Sequence, residues 1–107
     1  AGQVTTVTED REIVPGISVV HTPAHTDGGM TVMIDTQSGK AAITGFCCIM
    51  ENFEPPVTVK AMEMEVIPPG THVNVYEAYD IMLKVKESAD ILIPLHEPRF
   101  AAMDVVE

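Results

Sequence analysis

The chain has 107 residues, is 46% hydrophobic, and carries 16 acidic against 6 basic side chains, a formal charge of −10. That balance excludes DNA, RNA and anionic lipid as partners, because each needs clustered basic residues. The apolar content excludes a disordered tail, and the length fits one small domain or part of a larger one.

No run of about eighteen apolar residues is present, so no transmembrane helix is expected. Residues 1–6 have neither a basic region nor an apolar one of the kind a secretory leader uses, and no initiator Met, as in a processed chain or fragment. Cys47 and Cys48 are neighbours and could pair with each other only across a strained peptide. These features predict reduced thiols in a cytoplasmic protein.

Residues 4–14 mix Thr and Val with charges and predict a strand of weak register. Pro15-Gly16 signals a turn, and residues 17–20 a short buried strand. The next loop holds His21 and His25. A histidine on a tight loop between two strands is carried by a rigid scaffold, with its imidazole available to a metal or substrate. Residues 30–35 alternate as a strand, Gln37-Ser38-Gly39-Lys40 makes a hairpin turn, and residues 40–44 form the partner strand, ending at Gly45.

From residue 46 to 70 the pattern is irregular. Pro55-Pro56 and Pro68-Pro69-Gly70 bracket a segment in which Met62, Met64 and Val66 alternate with Glu63 and Glu65, predicting a short strand or a loop over a cleft. A helix follows, with Asn74 and Glu77 in capping-box spacing and Thr71 as a competing cap. Val75, Tyr79, Met82 and Leu83 are expected on its buried side and Glu77, Asp80, Lys84 and Glu87 on its wet side, with the end near Ser88. A last strand, residues 91–94, leads into Leu95-His96-Glu97-Pro98. The order is that of an α/β layered domain.

Two histidines on strand-end loops, His25 and His96, suggest metal chemistry. His72, before the helix, either contacts substrate in the cleft or is a surface residue. Asp27 can accept a hydrogen bond from the His25 loop or orient a ligand from behind. Glu97 is expected to be solvated, and Tyr76 and Tyr79 to pack. The seven Met residues are read as fillers of irregular core space.

Thr22-Pro23-Ala24-His25-Thr26, with an apolar strand before it and a hairpin ending Ala42-Ile43-Thr44-Gly45 after it, resembles the second half of a metallo-β-lactamase-fold hydrolase. The resemblance is to the N-acyl homoserine lactonase-like branch. There the loop reads TPGHTPGH, the hairpin ends TGD, and a late strand leads to PxH; here the counterparts are TPAHTDGG, TGF and Pro94-Leu95-His96. The match runs from about residue 13 to residue 98, with three motifs in order.

The resemblance implies half of an αββα sandwich, a mixed sheet with a hairpin and one main helix, as a single partial domain over residues 1–107. It implies that His25 is a ligand of the family's first metal position and His96 of the second. Zinc is the usual metal, with iron, manganese or cobalt, other divalent transition metals, in relatives, and a metal pair there holds a hydroxide that attacks a carbonyl. Three departures stand out. Phe46 occupies the place of the metal-bridging aspartate, so Cys47 is the alternative donor if a one-residue bulge presents it, and otherwise a buried thiol. Gly29 replaces the second loop histidine, and the family's HxHxDH motif is absent.

The resemblance therefore implies part of a metal-dependent hydrolase of lactone or ester-like substrates, inactive as this isolated chain. Self-association or a complementary N-terminal half would cover the open sheet face. The other reading is a truncated, non-catalytic relative that serves as an oligomerisation or interaction module.

Overall fold

A computed structural model describes residues 3–46, 48–70, 72 and 74–106. Four strands form an antiparallel meander: β1 (Arg11–Val14), β2 (Ile17–His21), β3 (Met30–Thr36) and β4 (Gly39–Ile43). Two single-turn helices, α1 (Met50–Phe53) and α2 (Val57–Lys60), and the 14-residue α3 (Val75–Ser88) then carry the chain to β5 (Ile91–Ile93). β5 lies parallel to β4, giving a mixed sheet in the order β1-β2-β3-β4-β5. A 3-10 turn, Pro98–Ala102, follows. The α/β class is as expected from the sequence.

Local chemistry sets the turns. Gly16 sits at φ +87° between β1 and β2, and its carbonyl accepts the Asp35 N–H at 2.8 Å. The β3–β4 hairpin uses Gly39 at φ +125°, a conformation that side chains disfavour. Asp90 then pins the start of β5 to the start of β4: its Oδ2 accepts the Lys40 N–H at 2.9 Å, and its own N–H donates to the Lys40 carbonyl at 2.8 Å.

The core lies on one face of the sheet. Ala78, Met82 and Val85 of α3, at i, i+4 and i+7, pack with Met33 and Ala42 of the strands and with Phe46, Phe53 and Val66 from the connecting segment. Asn74 caps α3 as expected, its Oδ1 accepting the Glu77 N–H at 3.0 Å. Thr71, the competing cap, lies outside the described residues. Val75 departs from expectation: it stands 43% exposed, and the buried stripe is shifted onto Ala78 and Val85. The helical period fits both stripes, and contact with the sheet chooses between them.

The segment of alternating Met and Glu is neither strand nor simple loop. α2 opens it, and Glu63 turns the chain at φ +63°. The fully buried Val66 anchors it, and Ile67 N–H donates to the Asn52 carbonyl at 2.7 Å. The bracketing prolines restrict both ends, and burial of one residue outweighs the alternating pattern.

The opposite face is different. Register brings Ile17, Ile34, Ala41 and Ile91 into one row across four strands, and Val19, Val32, Ile43 and Ile93 into a second. None of these eight joins the cluster that α3 covers. Ile17 is 39% exposed, and the others except Ala41 are half-buried. The radius of gyration is 14.4 Å, against about 13 Å for a compact domain of this length. The sheet thus has one helix-covered face and one partly exposed aliphatic face, which could take a second layer.

Candidate functional site

Antiparallel pairing of β2 with β3 and β3 with β4, and parallel pairing of β4 with β5, bring three loops to one end of the sheet. These are the His25 loop after β2, the Thr44-Gly45-Phe46 turn after β4, and the Leu95-His96 loop after β5. The loops that carry His25 and His96, 71 positions apart by number, thus lie at the same end of the sheet, after β2 and after β5 with β3 and β4 between them.

The His25 loop is tightly closed. Thr22 N–H donates to the Gly29 carbonyl at 2.8 Å, Ala24 N–H to the Thr22 carbonyl at 2.7 Å, and Gly29 N–H to the Thr26 carbonyl at 3.1 Å. His21 straps it from outside, its Nε2 lying 2.6 Å from the Asp27 carbonyl oxygen. Asp27 itself is exposed, and its main chain makes that contact. A Cβ at Gly29 would come 2.7 Å from the Thr22 carbonyl oxygen, so the loop is drawn closed by the absence of a side chain there.

His96 is exposed but its backbone is fixed. Its N–H donates to the Cys48 carbonyl at 3.0 Å, and the Leu95 N–H donates to Thr44 Oγ1 at 3.0 Å. Glu97 is not a solvated residue. Its side chain is 9% exposed, Oε1 accepts the Met50 N–H at 2.8 Å, and Oε2 accepts from the Arg99 main chain at 3.3 Å and from Arg99 Nε at 3.4 Å. The Met50 N–H above all, with Arg99, holds its carboxyl below the usual carboxylate range. The unmet donor at the start of α1 recruits it, a demand that α1's short, irregular sequence does not announce.

His72 is exposed, with Nδ1 2.7 Å from the Pro69 carbonyl oxygen. Cys47 lies outside the described residues. Among the described residues no three His, Cys, Asp or Glu side chains cluster as a metal would require. Zinc takes three or four donors, more than two imidazoles can offer. An open groove of about 690 Å³ lies elsewhere, between Glu63–Glu65 and the Leu83–Glu87 side of α3.

No protein-family model matches the chain. A curated N-acyl homoserine lactonase of a Bacillus species is 37% identical over 59 residues, spanning 53% of this chain and 24% of the relative. An N-acyl homoserine lactone hydrolase, solved with the product N-hexanoyl-L-homoserine at its catalytic metal centre, superposes with a TM-score of 0.64 at 24% identity. That match covers 89% of this chain and 36% of the hydrolase. A quorum-quenching N-acyl homoserine lactone lactonase superposes at 0.66 with 24% identity, over 94% of this chain and 40% of its own.

This is part of a lactonase-like fold. The chain spans about a quarter of the curated relative and two-fifths or less of these solved ones. Within that fold, Phe46 is wholly buried, its ring 6.3 Å from that of Phe53. It serves the core, so the position that the resemblance associates with a bridging carboxylate holds an apolar anchor. Among the described residues, no helix is long and apolar enough to cross a membrane.

Thr22, Thr31 and Thr44, to which the sequence motifs assign no role, are 1%, 0% and 2% exposed. They are the buried polar residues of the described chain, and they lie beneath the three loops. The available signal was position: Thr31 and Thr44 sit one step along their strands from core-facing Met33 and Ala42, on the same side.

Proposed function

We propose that the chain is part of a metal-dependent hydrolase of lactones or related ester-like substrates, and is inactive by itself. His25 and His96 supply two metal ligands, with zinc the expected metal, and the other donors come from outside this chain. The observation that carries the reading is the arrival of both histidine loops at one end of the sheet. An identity of 37% with a lactonase over 59 residues adds support. The small-molecule substrate would lie over that end, with His72 as a candidate contact.

The missing donors and the bare aliphatic face call for the same thing. A complementary N-terminal portion laying an apolar sheet on the Ile34 and Ile43 rows would bury that face and bring further ligands to its rim. Self-association through the same rows is the arrangement expected of the chain alone. The setting is cytoplasmic, in keeping with adjacent Cys47 and Cys48, which disfavour a disulfide.

A test is to mix the chain with the N-terminal part of an N-acyl homoserine lactonase and zinc, then follow lactone opening. Activity that needs both parts and zinc, and that His25→Ala and His96→Ala abolish, is expected. If the mixture assembles yet stays inactive and metal-free, the hydrolase reading fails.

The buried Phe46 favours a second reading, a non-catalytic interaction module of the same fold. It predicts stable assembly through the aliphatic face and no change in partner affinity when both histidines are replaced.

A further inference from the structure

We infer that Thr31 and Thr44 are positioning residues whose buried hydroxyls couple the His25 loop to the His96 loop. Thr31 Oγ1 lies 2.9 Å from Thr22 Oγ1, at the root of the His25 loop, and accepts the Gly45 N–H at 3.4 Å. Beside Gly45, Thr44 Oγ1 accepts the Leu95 N–H at 3.0 Å and donates to the Phe46 carbonyl at 3.3 Å. Cys48 Sγ lies 3.3 Å from the same oxygen, and the Cys48 carbonyl accepts the His96 N–H.

Thr44 Oγ1 thus has three polar partners. Its proton goes to the Phe46 carbonyl, a lone pair takes the Leu95 N–H, and Cys48 Sγ lies against the same oxygen. A buried hydroxyl held on several sides has few low-energy arrangements, because a displaced partner loses its bond in a place that water does not readily reach. Valine at either site has nearly the same shape and none of these bonds. The line Thr22–Thr31–Gly45–Thr44–Leu95 therefore fixes the two imidazole-bearing loops against one another.

The role given to the two histidines rests on the hydrolase reading, whereas the coupling itself does not require a metal. The test compares wild type, Thr44→Val, Thr44→Ser and Thr31→Val by the imidazole ring spectra of His25 and His96 at one fixed pH, without metal. In Thr44→Val both rings are expected to shift, and the Leu95 amide to exchange about tenfold faster, the loss of one buried hydrogen bond. Thr44→Ser should restore both rings although it lacks the methyl group. Thr31→Val, from the other end, should shift His96, and it carries the test if Thr44→Val does not fold. Rings that respond only on the mutated side, or that serine fails to restore, overturn the proposal. Cobalt(II) absorption in the assembled two-part protein tests the hydrolase reading separately: absent binding with coupled rings refutes the metal assignment and leaves the coupling in place.

Discussion

The carboxylate of Glu97 accepts the main-chain N–H of Met50 at 2.8 Å, joining the His96 loop to the first turn of α1 across 47 positions. Its folded-state pKa is lowered chiefly by that bond, so the ionised form is favoured in the folded protein. The stabilisation is present above the carboxyl's unfolded pKa and is lost as pH falls through the lower folded value. Urea midpoints measured from pH 7 downward should therefore fall in wild type at the acid end. Glu97→Gln should start lower at pH 7 and lose less on acidification; parallel curves would remove the link from the pH dependence.

Gly45 is enforced by backbone contact. A Cβ there would overlap the Met30 carbonyl, which is backbone at the start of strand β3 rather than a flexible side chain. Gly45→Ala should cost about 3 kcal/mol or more, above the usual range for overpacking. Gly28 has open space around it, so Gly28→Ala is the control, expected within about 0.5 kcal/mol of wild type. Denaturant melts of the pair provide the comparison.

Phe46→Ala should lose about 3–5 kcal/mol, the cost of emptying a fully buried aromatic site beside Phe53. Phe46→Asp should do worse in this chain, because it adds an unpaired carboxyl to the same cavity. Equal or greater stability for the aspartate variant, by thermal melting, would mean that donors reach the position unseen in this fold.

The two aliphatic rows make a prediction about association. Ile34→Lys and Ile43→Lys place a charge on the uncovered face, where each isoleucine is only half-buried. Each should cost about 1 kcal/mol of stability while lowering the mass seen by light scattering and the binding of an apolar dye. A wild type that stays monomeric at every concentration would count against self-association through this face.

Much of the architecture could be read from residue order, because local chemistry decides it. Pro15-Gly16, Ser38-Gly39 and Asn74 with Glu77 each encode a turn or cap within four residues, and the structure uses all three. The segment around Met62 and Val66 was not legible, since its path depends on Val66 finding a distant core and on Asn52 meeting Ile67. For the site, the loop motifs located His25 and His96. Met50, which donates to Glu97, and Leu95, which donates to Thr44, lie 47 and 51 positions from their acceptors and left no local pattern to read.

The parallel pairing of β5 with β4 also has a kinetic consequence. Strands β1 to β4 meet through short connections, so the His25 loop can be formed by nearby segments soon after collapse. Leu95 must return to Thr44 across 51 positions, a long closure whose entropy is lost before any contact rewards it. The two histidine loops are thus expected to reach their end of the sheet at different times. His25 waits on an early scaffold, and the docking of β5, one of the last events, decides when the pair exists.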